Sequence, residues 1–128
     1  MESRGIRDIF EEHWERYDEW FEKLPGKEIF EIELEAIKQE AQPFPHPWLE
    51  VGVGTGRFAQ ALGIEYGVDP SRKMLEKAKE RGITVFPSAG EDLPFPDESF
   101  QLVFLIVTLC FLENVPAVLR EIRRVLKK

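Results

Sequence analysis

A glycine-rich turn directly after a short apolar segment restricts this chain to few folds. The segment Trp48–Val51 leads into Gly52-Val53-Gly54-Thr55-Gly56, and a helical pattern follows over residues 57–62. Glycine permits positive φ angles and lets a ligand approach the backbone closely, because no Cβ stands in the way. Free amides at the start of the next helix are expected to point into the same site. The pattern predicts a strand, a ligand-binding turn and a helix, with a tight turn that binds nothing as the alternative.

Beyond Pro47, short apolar runs alternate with helical patterns, which is typical of βαβ units and a parallel sheet. This predicts an α/β, Rossmann-like fold. A helix capped by Ser71 and ended by Gly82 is expected to bury Met74, Leu75 and Ala78. A last helix is expected to start near Pro116 and to bury Val118, Leu119, Ile122, Val125 and Leu126. The predicted strands are Trp48–Val51, Tyr66–Val68, Thr84–Phe86 and Leu102–Val107.

Two helical patterns precede this alternation. Apolar residues recur every three or four positions from Ile6 to Leu24, which indicates an amphipathic helix that Pro25-Gly26 ends. A second helix is predicted over residues 29–37, before the proline-rich stretch 43–47. A chain of 128 residues suits a single core. We therefore predict one domain, made of a helical segment 1–44 and an α/β core 45–128.

Composition restricts the partners. Of the net charge of −7, all the excess lies in residues 1–40, which carry 13 acids and 6 bases. An acidic chain without a basic stripe is not expected to bind nucleic acid, which favours a small-molecule substrate. No segment suits a membrane span or an export signal, so we expect a cytoplasmic protein. Cys110, the single cysteine, excludes an internal disulfide and is interpreted as a buried hydrophobe, and we predict no metal.

Glu50 narrows the choice of ligand. A carboxylate in an apolar strand is costly without a partner, and two residues before the first glycine it can face a cationic amine. The run 54–59 also fits the G-x-G-x-x-A fingerprint of dinucleotide sites, but Glu50 would repel a pyrophosphate. S-adenosylmethionine carries such an amine and is favoured over a nicotinamide dinucleotide. Satisfaction of Glu50 by local backbone amides is the alternative.

Asp69 ends the second predicted strand, where a carboxylate can accept hydrogen bonds from both ribose hydroxyls. A helix-capping role is the alternative, although Ser71 already fills it.

Four blocks together resemble the UbiE-type class I S-adenosylmethionine-dependent methyltransferases, over about residues 45–128. Each block is weak alone, but their order and spacing are specific. They are Leu49-Glu50-Val51-Gly52-Val53-Gly54-Thr55-Gly56, Gly67-Val68-Asp69-Pro70-Ser71, the run Gly90–Phe100 and the last helix Leu119–Leu126.

The resemblance implies a set of site residues. Glu50 and the turn glycines Gly52, Gly54 and Gly56 would hold the methionyl part of the cofactor, and Asp69 the ribose. The adenine would lie near Met74, with Ala89, Gly90 and Glu91 along its edge. Ala89 stands where the family often has an acid, so only backbone contacts to the adenine are expected there. Tyr17-Asp18-Glu19-Trp20-Phe21 is similar to the family's N-terminal lid helix, which would place Tyr17 over the methionyl end or, alternatively, in an aromatic core stripe.

No general base is evident. Many relatives have a histidine close to the position of Phe111, but the run Thr108–Leu112 has none. His13 and His46 are interpreted as structural or solvated. We therefore predict a methyltransferase acting on a small molecule, with no catalytic residue assigned. The alternative is a non-catalytic cofactor-binding or interaction protein derived from this fold.

The resemblance also implies the strand order 3-2-1-4, with three further strands expected after Lys128. The expected class I methyltransferase fold is thus C-terminally truncated, with the fourth strand at an open edge. An apolar edge is a template for pairing with another chain. We therefore expect a homodimer formed through this strand, with cover of the edge by residues missing from the sequence as the alternative.

Overall fold

The computed structural model describes residues 26–106 and 114–128, together with Glu19, Glu22 and Lys23. Four parallel strands form one sheet in the order β3-β2-β1-β4. This confirms the predicted α/β fold and strand order. In chain order the elements are α1 Gly26–Ala41, β1 Trp48–Val51, α2 Arg57–Leu62, β2 Tyr66–Asp69, α3 Arg72–Glu80, β3 Thr84–Pro87, β4 Leu102–Phe104 and α4 Val115–Val125.

Strand β1 is central, and all four of its residues are buried. Val51 pairs with Val68 of β2, and Glu50 pairs with Phe104 of β4. Because parallel strands end at the same edge, the turn after Val51 lies beside Asp69, the last residue of β2. This edge positions the site.

The sheet packs between two apolar clusters. Along β1, Trp48 joins one cluster and Leu49 the other, because alternate side chains of a strand point to opposite faces. The first cluster includes Ala41 of α1, Ala59 of α2 and Ala78 of α3. The second includes Val118 and Val125 of α4, with Leu49, Val51, Val68, Leu93 and Phe100.

Local signals start the helices as predicted. The Oγ of Ser71 accepts a hydrogen bond of 3.3 Å from the Met74 amide at the start of α3. Helix α4 starts with Pro116 in its first turn, and the side chain of Asn114 accepts a bond of 3.2 Å from the Ala117 amide. Each cap satisfies an amide that has no partner within its helix.

Several boundaries differ from the predictions. Strands β2 and β3 each run one residue further, and β4 ends at Phe104, whereas Val107 lies outside the described residues. Leu119 was predicted to be buried, but it is 50% exposed. The buried stripe of α4 follows Val118 and Val125, and Leu119 lies about 100° away around the helix.

Leu126 was assigned to the buried face of the last helix, but it follows α4 and forms a parallel bridge with Phe100. Most of the predicted helix from Ile6 to Leu24, including Tyr17, lies outside the described residues, as does Cys110. In the described ranges, no helix combines the length and the apolar character needed to cross a membrane.

Candidate functional site

The turn after β1 has the backbone conformation that its glycines predicted. Gly52, Gly54 and Gly56 have φ angles of 77°, 57° and 84°. Residues with a Cβ rarely adopt this left-handed region. The sequence therefore folds into this turn because glycine stands at three alternate positions.

Several amides of the turn bond to β2 rather than pointing freely into a ligand site. The amides of Gly52 and Val53 donate to the carbonyl oxygen of Val68 at 2.8 and 3.0 Å. The amide of Gly54 donates to Oδ2 of Asp69 at 3.0 Å. These three bonds fold the turn back onto the neighbouring strand. The expectation of free amides concerned the start of the next helix, and it stays a prediction there.

Close packing also requires glycine here. A Cβ on Gly56 would lie 3.1 Å from Cα and Cβ of Ala78, so its absence lets α3 approach the turn. A Cβ on Gly67 in β2 would lie 2.7 Å from Cβ of Val53. This packing role of Gly67 was not predicted from the sequence, where Gly67 stands two residues before Asp69.

Asp69 joins the two strand ends. Its Oδ1 accepts a bond of 2.9 Å from the Ser71 amide, while Oδ2 holds the Gly54 amide. The residue is 8% exposed, so its carboxylate lies just below the surface at the sheet edge. Ser71, not Asp69, caps α3, while the Asp69 carboxylate holds the amide of Ser71 and anchors the turn.

Glu50 is the most unusual group of the site. It is 2% exposed, and its Oε1 has no hydrogen-bond partner among the described residues. Burial raises its pKa well above the ordinary value, and the nearby charge of Asp69 raises it further. Backbone amides do not satisfy Oε1, so the structure leaves a buried acceptor beside a second carboxylate. A cationic donor is the chemical group that such a pair favours.

The structure also places the residues assigned to the adenine side. Met74 is buried, and its Sδ lies 3.8 Å from the position of a Cβ on Gly54, so it packs against the turn. Gly90 is buried with a φ of 93°, and a Cβ there would lie 3.2 Å from Cγ1 of Val51. Ala89 and Glu91 are half-buried on either side of it. Met74 and Gly90 thus adjoin the turn and the end of β1, respectively.

Sequence reasoning missed three charged side chains around the turn and its neighbouring loop. Arg81 donates to the carbonyl oxygen of Thr55 at 2.8 Å. Arg57, the first residue of α2, pairs with Glu22 at 2.7 Å. Arg124 binds the loop that carries Gly90. The sequence did contain a signal for Arg124, because Glu121 and Arg124 are three residues apart on a predicted helix and can form a pair.

His46 lies at the other end of β1 from the turn. Its Nδ1 is 2.8 Å from Oε1 of Glu65, and its ring stacks on Trp48 at 3.8 Å. Burial raises the pKa of Glu65, but hydrogen bonds from His46 and the Trp48 amide outweigh this and leave it below its ordinary value. This placement agrees with a structural His46. Within the described ranges, no three potential ligands come together as a metal site.

The fold and the site define a Rossmann-like protein that presents two carboxylates and a glycine turn at one sheet edge. Residues 49–128 match the methyltransferase domain family. The chain therefore belongs to this family.

Its relatives include an uncharacterized protein of Mycobacterium tuberculosis, which is 43% identical over 110 residues, or 86% of this chain and 39% of the relative. An uncharacterized protein of Methanocaldococcus jannaschii is 41% identical over 94% of this chain and 57% of its own length. A crystal structure from Thermotoga maritima, described as a SAM-dependent methyltransferase and possible histamine N-methyltransferase, has a TM-score of 0.87 and 40% identity over 96% of this chain and 57% of that one. The chain spans roughly half the length of these proteins or less.

Proposed function

We propose that this chain binds S-adenosylmethionine and forms the cofactor-binding part of a UbiE-type enzyme that methylates a small molecule. The observation that carries the proposal is Glu50, a buried carboxyl with an unpartnered oxygen beside a glycine turn and a second carboxylate. Membership of the methyltransferase domain family supports it. A more distant relative, a demethylmenaquinone methyltransferase of Anoxybacillus flavithermus, is 33% identical over 95% of this chain and 57% of the relative, and supports the UbiE-type assignment.

The two carboxylates suit the two polar parts of the cofactor. Glu50 would hold the cationic amine of the methionyl part, which offers the donor that Oε1 lacks. Asp69 would accept hydrogen bonds from the ribose hydroxyls. A carboxylate has about four acceptor sites, so it can bind backbone amides and a ligand at the same time. A pyrophosphate would face both negative charges, which disfavours a nicotinamide dinucleotide.

The remaining residues would enclose the nucleoside. Gly52, Gly54 and Gly56 leave room beside the turn for the methionyl part. Met74 and Gly90, which flank the turn and the end of β1, would contact the adenine, with Ala89 and Glu91 along its edge. Tyr17 would lie over the methionyl end as a lid residue, a role that rests on the family resemblance alone.

When bound, S-adenosylmethionine supplies a methyl group on an intrinsically reactive sulfonium. The chain's own task is then to orient the reactants, and positioning alone can supply roughly 7–11 kcal/mol of the barrier. In the described part of the chain, the one histidine is His46, and it is engaged with Glu65 at the far end of β1. This arrangement suits an acceptor whose attacking atom needs no protein base, such as an uncharged amine nitrogen.

The negative charge of residues 1–40 supports an amine as the first acceptor to test. Residues 1–40 carry the acidic excess, and Glu28, Glu31 and Glu35 of α1 all face solvent. Such a field attracts cations, so it would favour an acceptor that carries a cationic group separate from the uncharged nitrogen that is methylated. The Thermotoga maritima protein that is similar to this chain is described as a possible histamine N-methyltransferase.

Calorimetry with S-adenosylmethionine, S-adenosylhomocysteine and NAD tests the binding step. We expect the first two to bind and NAD not to bind. Glu50→Gln should weaken binding of S-adenosylmethionine, while Glu76→Gln, at an exposed position of α3, should not. Binding of NAD in preference to both sulfur ligands would overturn the proposal.

Transfer of a labelled methyl group to a panel of small amines and demethylated quinones tests the chemical step. Amine methylation is the expected result. Cofactor binding without transfer to any acceptor would instead support the non-catalytic alternative.

A further inference from the structure

The loop between β3 and β4 carries Gly90 and Glu91. Arg124 of α4 forms hydrogen bonds with the later part of this loop, from Leu93 to Asp97. Arg124 donates through Nη2 to the carbonyl oxygen of Leu93 at 3.0 Å and through Nη1 to that of Phe95 at 2.8 Å. Nη1 also donates to Oδ1 of Asp97 at 2.8 Å. Three points of the loop are thus held by one side chain.

Glu121 completes the arrangement. Its Oε2 accepts from Nε of Arg124 at 2.7 Å and its Oε1 from Nη2 at 3.0 Å. A guanidinium has five N–H groups in a planar fork, so every donor of Arg124 has an acceptor. The Oε1 of Glu121 also accepts from the Leu93 amide at 2.8 Å. Leu93 is consequently fixed at both its N–H and its C=O.

The opposite side of the Gly90 turn is held as well. The Oγ of Ser88 accepts from the Gly90 amide and donates to the carbonyl oxygen of Asp92, each at 3.1 Å. Gly90 itself fits between Val51 and Val118, where a Cβ would lie 3.2 and 3.4 Å from their methyl groups. The turn at residues 89–91 is therefore held between Ser88 and Leu93, beside the end of β1.

We infer that Arg124 and Glu121 are positioning residues. They hold the turn at residues 89–91 in the position in which it contacts the base of the bound nucleoside. The inference rests on the proposed function. Neither residue needs to touch the cofactor, because their effect passes through Leu93 to Gly90. Lysine cannot replace Arg124, since it is a point charge with three donors and cannot reproduce a five-bond planar fork.

The test compares Arg124→Lys with Arg123→Lys, the same substitution at the neighbouring exposed position of α4. Binding of S-adenosylhomocysteine and S-inosylhomocysteine is measured for each, since these ligands differ only in the base edge. We expect the unaltered chain to prefer the adenine ligand. Arg124→Lys should lower this preference at least about fivefold, and Arg123→Lys should leave it unchanged. In the ligand-free protein, amides 89–93 should exchange faster in Arg124→Lys.

A general loss of stability must be distinguished from a positioning effect. Ile64→Val, a buried change in the other apolar cluster, should lower the urea midpoint of unfolding without changing the preference between the two ligands. An unchanged preference in Arg124→Lys, an equal change in Ile64→Val or unchanged exchange of amides 89–93 would overturn the inference while leaving the proposed function intact. If the unaltered chain binds neither ligand, the proposed function and this inference both fail.

Discussion

The amide of Gly54 donates a hydrogen bond of 3.0 Å to Oδ2 of Asp69. The side chain that ends β2 therefore anchors the turn that follows β1. Because Oδ1 of the same carboxylate accepts the Ser71 amide at 2.9 Å, one residue ties the turn, β2 and the start of α3 together. A ligand bound at this edge would meet a preformed site.

Asp69→Ala should weaken binding of S-adenosylmethionine at least about tenfold. The change removes one or two charge-assisted bonds to the ribose, each contributing roughly 1.5–3 kcal/mol, and releases the turn. Calorimetry measures the loss, with Glu76→Ala on the exposed face of α3 as the control. Asp69→Asn keeps one acceptor oxygen, so its affinity for S-adenosylmethionine should lie between those of Asp69→Ala and the unaltered chain. Equal affinity of Asp69→Ala and the unaltered chain would remove Asp69 from the site.

Glu50→Gln should stabilise the ligand-free protein at neutral pH while weakening cofactor binding. Burial and then the charge of Asp69 raise the pKa of Glu50 in the folded state above its ordinary value of 4.5. Its contribution to stability is therefore complete below that value and is lost as the pH rises through the raised folded pKa. Glutamine carries no charge and avoids this loss, so we expect the variant to be more stable than the unaltered chain at neutral pH.

Urea unfolding of both proteins at pH 5 and pH 8 checks the expectation for Glu50. The stability difference should be larger at pH 8, because more of the Glu50 penalty is present there. A glutamine variant that is less stable than the unaltered chain at pH 8 would show that the buried carboxylate has a stabilising partner.

Gly67→Ala should destabilise the protein by about 1–3 kcal/mol, the usual cost of overpacking. The added Cβ would lie 2.7 Å from Cβ of Val53, which cannot move without shifting the turn. The double variant Gly67→Ala, Val53→Ala should lose less than the sum of the two single changes, as unfolding midpoints in urea will show.

Gly63→Ala is the control for this cycle. No atom lies within 4 Å of its added Cβ, but its φ is 77°, so it should lose stability through backbone strain alone. Val53→Ala should not relieve that loss. Strict additivity in the Gly67 cycle would contradict a steric clash with Val53.

We propose that the 128-residue form self-associates through the outer edge of β4. Within the described residues, β4 pairs with β1 on one side only. The outer edge is covered at Phe100. Its amide donates to the carbonyl oxygen of Val125 at 2.9 Å, and its carbonyl oxygen accepts from the amide of Lys127 at 2.8 Å. No described strand continues this cover beside Leu102–Phe104, and such an edge favours pairing with a second copy.

Sedimentation over a range of concentrations tests the self-association. We expect a closed dimer, with slower hydrogen exchange at Leu102 and Phe104 as the concentration rises. A monomer that persists at high micromolar concentration would contradict the proposal, as would a dimer with unchanged exchange at these two residues.

The sequence by itself determined those features that depend on neighbouring residues. Glycine at positions 52, 54 and 56 predicted the left-handed turn, and Ser71 predicted the start of α3, because backbone freedom and capping act over a few residues. The alternation of strand and helix patterns predicted the parallel sheet. It also placed Glu50 near the end of one strand and Asp69 at the end of the next strand along the chain, which made both residues candidates from the sequence alone.

Tertiary structure alone decided which distant groups meet. Arg124 reaches Leu93 across 31 positions of sequence, and Gly67 of β2 contacts Val53 of the turn. The exposure of Leu119 and the use of the Gly54 amide by Asp69 likewise follow from how α4 and β2 pack. Periodicity gives the face of an element, but the separation and rotation of packed elements set contact distances. Those quantities depend on the whole core at once, so no single segment of the sequence specifies them.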